Sequence, residues 1–304
     1  MEQKLYNELN EILPAENIRM DEPMDKHTTF RIGGTADYFV MPQSAEDVKK
    51  VIHCCKVHNM PYYIVGNGSN LLVSDEGYRG VIIQIFKEMN QISVDGNYII
   101  AQAGALLSAI ASKALEHELT GFEFAAGIPG TLGGACVMNA GAYGGEMKHV
   151  LTQVTMLDEQ GEVIVLPADS LELGYRTSII AKKNYVVLDA RIELKPGDGE
   201  EIKACMAELK AKRTEKQPLE FPSAGSTFKR PEGYFAGKLI QDSGLRGFRV
   251  GDAQISEKHC GFVINRGHAT AEDVASLMDQ VINRVKDTFG VTMEPEVKRL
   301  GEFK

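Results

Sequence analysis

The stretch GIPGTLGGACVMNAGAYGGE, residues 127–146, decides the fold class more than any other part of the chain. A second glycine-rich loop, VGNGSNLLV at residues 65–73, lies between two apolar runs that read as strands. Glycine lets backbone N–H groups approach a diphosphate closely and adopt positive φ angles. Tight turns explain many isolated glycine pairs, but two loops that also carry Asn, Ser and Thr side chains together predict a phosphate-binding site.

Neither loop matches a standard nucleotide-binding fingerprint. The loop at 65–73 begins like G-x-G-x-x-G but has Leu71 at the third glycine position, and no G-x-x-x-x-G-K-[ST] occurs. The predicted elements mix helices with hairpins and do not alternate regularly as βαβ units. A doubly wound Rossmann sheet is therefore disfavoured.

Hydrophobic periodicity and capping residues predict the elements around these loops. Ser44 is a good N-cap for a helix ending near residue 58, and Thr270 and Gly290 bound a helix over 271–289. The break KPGDG at 195–199 predicts a domain boundary. The remaining predictions are helices over 105–119 and 200–216, strands over 62–65, 81–85, 98–101 and 185–194, and a hairpin with arms 154–157 and 163–166.

Composition and charge narrow the classes of function. The 304 residues are 43% hydrophobic and 25% charged, which is ordinary for one large or two medium globular domains. The net charge of −9 disfavours non-specific nucleic-acid binding. The first residues read as an amphipathic helix and not as a signal peptide, and no apolar run is long enough to span a membrane. We therefore expect a cytoplasmic protein with neither a nucleic-acid nor a membrane partner.

The five cysteines are odd in number and scattered, which predicts reduced thiols and no disulfide framework. Cys54 and Cys55 could be combined with His53 and His58 into a metal site. Adjacent residues on a helix do not face one point, however. The sequence therefore predicts buried thiols on a helix and no metal site.

Six motifs occur in order and cover nearly the whole chain: TFRIGG (29–34), GNGSNLLV (66–73), GIPGTLGGACVMNAGAYGGE (127–146), GYRTS (174–178), AGSTFKRP (224–231) and EPEV (294–297). Together they resemble the UDP-N-acetylenolpyruvoylglucosamine reductase (MurB) family. The resemblance implies an α+β fold, with a two-lobed FAD-binding domain of the vanillyl-alcohol-oxidase (PCMH) type and a C-terminal α+β substrate domain. The expected divisions are an N-terminal helix at 1–19, an FAD-binding domain at 20–197 with lobes 20–80 and 81–197, and a substrate domain at 198–304.

The resemblance also implies a reaction in peptidoglycan precursor synthesis. NADPH reduces non-covalent FAD, and flavin N5 then passes a hydride to C3 of the enolpyruvyl group of UDP-N-acetylglucosamine enolpyruvate. Protonation at C2 gives UDP-N-acetylmuramate. Ser226 resembles the proton donor, Arg176 the arginine that binds the substrate carboxylate, and Glu296 the glutamate that holds and polarises the enolic carboxylate. Outside these motifs the three would read as a turn serine, a surface arginine and a solvated glutamate.

Further binding residues follow from the same motifs. If this segment is a strand, Lys229 and Arg230 would face opposite ways and only one would point inward. The resemblance favours Arg230 as the diphosphate ligand. His259 could approach the site or be a buried structural histidine. The expected FAD-binding residues are Gly66, Asn67, Gly68, Ser69, Asn70, Leu71, Gly127, Ile128, Pro129, Gly130, Thr131, Gly133, Gly134, Asn139, Gly141 and Ala142, and the expected substrate-binding residues are Tyr175, Lys229, Arg230 and Gln241.

The 50 positions from Arg176 to Ser226 are too few for the tyrosine-bearing loop of some family members, so the chain resembles the shorter type. A monomer is favoured. Two alternatives stay open at this point. One is a flavin oxidase with the same fold, which would often attach FAD through His or Cys. The other is a nucleotide-sugar or flavin-binding regulator, which would not need Ser226, Arg176 and Glu296 together.

Overall fold

The computed structural model describes residues 2–303, which form eight α-helices and eighteen β-strands. The helices are α1 (Glu2–Ile12), α2 (Ala45–Val57), α3 (Leu107–Glu116), α4 (Leu132–Met138), α5 (Ile179–Lys183), α6 (Gly199–Lys216), α7 (Ala236–Asp242) and α8 (Ala271–Phe289). The strands are β1 (Ile18–Pro23), β2 (Thr35–Val40), β3 (Tyr62–Val65), β4 (Leu71–Val73), β5 (Tyr78–Gln84), β6 (Ile92–Asp95), β7 (Tyr98–Gln102), β8 (Leu119–Thr120), β9 (Gly141–Ala142), β10 (Gly145–Glu146), β11 (Leu151–Leu157), β12 (Val163–Pro167), β13 (Val186–Glu193), β14 (Lys195–Pro196), β15 (Arg249–Val250), β16 (Ala253–Ile255), β17 (Val263–Asn265) and β18 (Lys298–Leu300).

The chain divides into two compact units, and neither is continuous in sequence. The first unit contains the residues up to Arg19 together with Tyr38–Asn67 and Gly80–Arg213. The second contains Met20–Asp37, Gly68–Arg79 and the residues from Thr214 onward. The glycine-rich loop at 66–71 therefore contributes residues to both units.

An antiparallel five-stranded sheet of order β12-β11-β13-β7-β6 forms the centre of the first unit. Helix α4 packs on β13, and α1 packs on α2. Strands β3 and β5 pair in parallel, with Tyr62 opposite Val81. The core of this unit is made of aliphatic and aromatic side chains from the sheet and from the buried faces of α1 to α4.

The second unit combines the antiparallel sheet β15-β16-β17 with α7 and α8. Strand β4, which follows the first glycine loop, pairs in parallel with β18, so that Lys298 lies opposite Leu71. The buried face of α8 completes a core that includes Phe30, Leu72 and Val263. This pairing holds residues close to the C-terminus beside the glycine loop.

The predictions for local elements are confirmed. Ser44 caps α2 by accepting a hydrogen bond from the Asp47 N–H, and Thr270 caps α8, which ends at Gly290 with φ of +69°. Strands β11 and β12 form the predicted hairpin. All five cysteines are free thiols, as expected. No helix within residues 2–303 is both long and apolar enough to cross a membrane.

Candidate active site

In the first unit, the start of one glycine loop lies against the other. The Asn67 side-chain amide donates to the Pro129 carbonyl at 2.8 Å. A methyl group added at Gly66 would collide with the hydroxyl of Thr131, so only glycine permits this approach. The backbone N–H groups of Gly66, Asn67, Gly130 and Thr131 donate to no acceptor within residues 2–303. Backbone donors without protein partners are suited to the oxygens of a diphosphate.

The rest of the glycine loop at 66–71 belongs to the second unit and is fixed by backbone contacts. Gly68 has φ of +61°, and a methyl group there would collide with the His27 carbonyl oxygen. The Asn70 side-chain amide donates to the Glu296 carbonyl at 3.1 Å, and the Asn70 carbonyl accepts from the Lys298 N–H at 2.9 Å. The loop and the segment that carries Glu296 are therefore held together.

The segment 139–142 is organised by the side chain of Asn139, which adopts the left-handed conformation with φ of +45°. Its amide donates to the Glu146 carboxylate at 2.9 Å and to the Gly174 carbonyl at 3.1 Å, and its oxygen accepts from the Lys148 N–H at 2.9 Å. A separate hydrogen bond, from the Lys148 side chain to the Glu146 carboxylate, is the main reason that the pKa of Glu146 is below its usual range. Because the Asn139 side chain is occupied by these contacts, a cofactor contact from this segment would come from its backbone.

Arg176 lies in a short loop of the first unit that is anchored on both sides. Gly174 and Thr177 form an isolated bridge, and the Ser178 hydroxyl donates to the Val137 carbonyl at 2.7 Å. Arg176 itself is half-buried with φ of +54°. Its guanidinium carbon lies 5.2 Å from the ring centre of Tyr175, whose side chain is 54% exposed. This loop thus presents an arginine and an aromatic ring together.

Ser226 and Glu296 lie on adjacent segments of the second unit. The Glu296 N–H donates to the Thr227 carbonyl at 2.8 Å, and the next residue, Phe228, forms a bridge with Pro295. Thr227 is buried, and its hydroxyl accepts from the Val263 N–H at 2.9 Å. Ser226 is exposed and Glu296 is half-buried. The structure therefore brings these two predicted catalytic residues together and leaves the serine hydroxyl accessible.

The other predicted substrate residues in the second unit already have protein contacts. The Lys229 ammonium lies 2.9 Å from the Glu294 carboxylate, and this hydrogen bond lowers the pKa of Glu294. The Arg230 guanidinium carbon lies 3.9 Å from the ring centre of Phe235. The Gln241 side-chain oxygen accepts from Arg246 at 2.5 Å.

Lys229 and Arg230 do not lie in a strand, because the bridge at Phe228 is isolated and does not extend. The alternation of a strand therefore does not decide which of the two side chains faces a ligand.

Arg213 and His259 are two further half-buried residues with altered pKa values. Arg213, near the end of α6, was not predicted, yet a methyl group at Gly127 would lie 3.2 Å from its Nη1 atom, and burial lowers the pKa of this guanidinium. Its only signal in the sequence is one more charge on a charged helix. The Nδ1 atom of His259 accepts from the Gly261 N–H at 3.1 Å, and burial lowers its pKa.

The two glycine loops and their unpartnered N–H donors fit the diphosphate of FAD, and a family model described as an FAD binding domain matches residues 36–167. The chain is therefore an FAD-binding flavoprotein. A second model, the C-terminal domain of UDP-N-acetylenolpyruvoylglucosamine reductase, matches residues 217–300. The chain belongs to the UDP-N-acetylenolpyruvoylglucosamine reductase family of oxidoreductases.

Individual relatives support this membership over the full length. The chain is 55% identical to the UDP-N-acetylenolpyruvoylglucosamine reductase of Agathobacter rectalis, with 100% of both chains covered. It is 51% identical to that of Clostridioides difficile, with 99% of each covered. The crystal structure of the enzyme from Thermus caldophilus superposes with a TM-score of 0.79 at 35% identity, covering 93% of this chain and 98% of that one. The predicted α+β fold class is confirmed.

Proposed function

We propose that the chain reduces UDP-N-acetylglucosamine enolpyruvate to UDP-N-acetylmuramate in peptidoglycan precursor synthesis, with NADPH as the hydride donor. Membership of the reductase family and its FAD-binding domain support the overall reaction. The observation that carries the proposal is the backbone pairing of the Ser226 segment with the Glu296 segment in the second unit, through the Glu296–Thr227 hydrogen bond and the Phe228–Pro295 bridge.

FAD is held without a covalent bond by the residues of the two glycine loops. When bound, it would supply a two-electron centre for hydride transfer from NADPH to C3 of the enolpyruvyl group. Residues 66–71 and 127–134 contain neither His nor Cys, the side chains to which flavins are often attached. Cys136 follows the second loop, but burial raises its pKa to about 12, so its thiol stays protonated.

Ser226 donates the proton to C2 of the substrate. A hydroxyl is a weak acid, but the carbanion-like enolate is a strong base, so the transfer is favourable. Gly225 precedes it with φ of +75°, and Thr227 follows it with a buried, hydrogen-bonded side chain. The backbone on both sides therefore restrains the position of Ser226, as a stereospecific proton transfer requires.

Arg176 and Glu296 stabilise the charge that develops on the substrate carboxylate. A guanidinium group binds a carboxylate through two parallel hydrogen bonds and gains strength as negative charge accumulates. Glu296 holds and polarises the enolic carboxylate. In this role, the hydrogen bonds from its N–H to Thr227 and from Asn70 to its carbonyl fix its backbone.

Tyr175, Lys229, Arg230 and Gln241 bind the nucleotide sugar. Lys229 and Arg230 supply positive charge for the diphosphate, and the exposed ring of Tyr175 supplies a surface beside Arg176. We divide the chain into an N-terminal helix at 1–19, FAD-binding lobes at 20–80 and 81–197, and a substrate domain at 198–304. We also infer a cytoplasmic enzyme, favoured as a monomer, without a membrane partner. The net charge of −9 disfavours a nucleic-acid partner.

An anaerobic titration tests the proposal. NADPH should bleach the flavin absorption, and UDP-N-acetylglucosamine enolpyruvate should restore it. In Ser226→Ala, bleaching should stay normal while recovery slows by about 10²–10⁴-fold, because the general acid is lost. Ser223→Ala, a nearby serine outside the proposed site, serves as the matched control. Normal recovery in Ser226→Ala contradicts the role of Ser226, and bleaching without recovery in the unmodified enzyme contradicts the substrate.

A further inference from the structure

Three side chains that the reaction does not use meet between the first two helices of the first unit. Glu8 lies on α1, Cys54 lies in the last turn of α2, and His58 is the residue that caps α2. Their carboxylate, thiol and imidazole ligand atoms all lie within 4.8 Å of one another. Among residues 2–303, this is the one group of three His, Cys, Asp or Glu side chains gathered in this way.

Two of the distances within this cluster can be compared with those of a tetrahedral metal site. Zinc bond lengths place neighbouring ligand atoms about 3.3–3.6 Å apart. The Glu8 Oε2 atom lies 3.7 Å from the Cys54 Sγ atom and 2.8 Å from the His58 Nε2 atom. An ion therefore requires the carboxylate to move away from the imidazole by about half an ångström, a distance that follows from the zinc bond lengths. The Glu8 side chain is 37% exposed and has room for this movement.

The fixed and mobile ligands are arranged as a metal site needs. The Cys54 residue is 5% exposed and the His58 side chain 7% exposed, so helix packing holds both in place. Spacing of four residues puts them on one face of the helix end. The nearest competing cation is Lys4, which lies 3.9 Å from the other carboxylate oxygen of Glu8 and is itself exposed. The oxygen that faces Cys54 and His58 is therefore not occupied by the lysine.

The set of donors selects the kind of metal. A sulfur ligand disfavours Mg²⁺ and Ca²⁺, which take oxygen ligands, whereas sulfur, imidazole nitrogen and a carboxylate together suit Zn²⁺. We propose that Glu8, Cys54 and His58 bind one Zn²⁺ ion, with water as the fourth ligand, and so connect α1 to α2. None of the three residues is among those assigned to FAD or substrate, so the proposal does not rest on the proposed reaction.

This site differs from the one considered from the sequence. Cys55 is fully buried in the core and His53 is exposed on another face of α2, so neither joins the cluster. Glu8 replaces them from a helix more than forty positions earlier. The residues of α2 alone therefore do not form this cluster.

Metal counting on the tag-free, FAD-loaded full chain tests the proposal. The protein is stripped with a chelator, dialysed against Zn²⁺ and analysed by plasma mass spectrometry. The unmodified chain should retain one equivalent. Glu8→Gln, Cys54→Ser and His58→Ala should each bind at least about tenfold more weakly, since each removes a ligand. His53→Ala and Cys205→Ser, which alter an exposed histidine and an exposed cysteine outside the cluster, should bind like the unmodified chain.

Substitution with Co²⁺ gives a second measurement. Tetrahedral cobalt with a sulfur ligand has visible d–d bands at longer wavelength than flavin absorption, and these should appear in the unmodified chain and vanish in Cys54→Ser. Flavin content and circular dichroism check that each variant folds. If Cys54→Ser misfolds, the test rests on the zinc retention of Glu8→Gln, at a side chain that is only partly buried. Failure of the unmodified chain to retain zinc overturns the proposal. Equal retention by the ligand variants and the controls also overturns it.

Discussion

The glycine loops and the Ser226–Glu296 region use the backbone in opposite ways. At Gly66, Asn67, Gly130 and Thr131, N–H donors have no acceptor within residues 2–303. Around Ser226 and Glu296, backbone groups are paired: Thr227 with Gly261 and Glu296, and Lys229 with Glu294. Of these four residues Thr131 is buried, and a buried donor without a partner costs about 1–3 kcal/mol, so its N–H is suited to pairing with a ligand.

The difference indicates how each region works. The glycine loops bind through the main chain, so their residues are chosen for the space and φ angles that they leave open. The Ser226–Glu296 region acts through side chains, so its main chain is fixed by internal hydrogen bonds. Substitutions in the loops should therefore change FAD affinity and stability, whereas substitutions of the proposed catalytic side chains should change turnover.

Among substitutions outside the Ser226–Glu296 region, the largest effect is expected from Arg176→Lys. Lysine keeps the charge but loses the fork that binds a carboxylate through two hydrogen bonds. Turnover by the FAD-loaded enzyme should fall by about 10²–10³-fold, the range for loss of one donor to a developing oxyanion. Stopped-flow absorbance separates the two half-reactions, and flavin reduction by NADPH in the same variant is the internal control. Slowing of reduction alone would contradict the assignment of Arg176 to the substrate carboxylate.

Gly68→Ala should have the next largest effect. Its methyl group would collide with the His27 carbonyl, and its φ of +61° is strained for alanine. Strain of this kind costs about 1–3 kcal/mol, and FAD content should fall with it. The matched control is Gly96→Ala, where φ is +59° but no atom lies within 4 Å of an added methyl group. Denaturant unfolding with flavin fluorescence measures both, and equal losses would show that the contact with His27 does not matter.

The sequence predicted what depends on local signals. Capping residues gave α2 and α8, and the turn at 158–161 gave the β11–β12 hairpin. The resemblance of the motifs indicated the family and the proposed catalytic residues. Residue spacing and hydrophobic periodicity alone do not indicate the role of a single side chain.

Contacts between distant residues were missed. The β4–β18 pair joins Leu71 to Lys298, and Arg213 reaches Gly127 from α6. Nothing near either residue in the sequence indicates its partner. Lys229 and Arg230 lie outside a strand for a related reason, since the bridge at Phe228 depends on Pro295 and extends no further. Tertiary packing therefore decides these features.

A smaller effect is expected from Asn70→Ala. The Asn70 side chain connects the glycine loop at 66–71 to the segment that carries Glu296. Loss of the hydrogen bond to the Glu296 carbonyl should lower the free energy of unfolding by about 1 kcal/mol. It should also reduce kcat of the FAD-loaded enzyme, because Glu296 is less well positioned. Asn67→Ala removes a comparable hydrogen bond to Pro129 and should instead weaken FAD binding. Flavin titration and steady-state kinetics compare the two, and identical profiles would contradict the distinction.

The smallest effect concerns the pH dependence of stability through His259. Burial lowers the pKa of His259, so the native state binds its proton less readily than the unfolded state, whose histidine has a pKa of about 6.5. As the pH decreases below that value, the unfolded chain takes up a proton that the native chain does not. The free energy of unfolding therefore decreases until the pH has passed the native pKa. Above it, both states are neutral and the contribution is constant.

His259→Gln should remove this part of the slope, which is at most about 1.4 kcal/mol per pH unit and smaller here because the ring is only partly buried. His53→Gln, at an exposed position, controls for the loss of one imidazole. Denaturant unfolding of the three proteins between about pH 5 and 8, around the histidine pKa, measures the difference. If His259→Gln keeps the slope of the unmodified chain while His53→Gln removes it, burial of His259 is not its source. If His259→Gln flattens the slope and leaves turnover intact, the histidine supports the Gly261 turn and takes no part in the reaction.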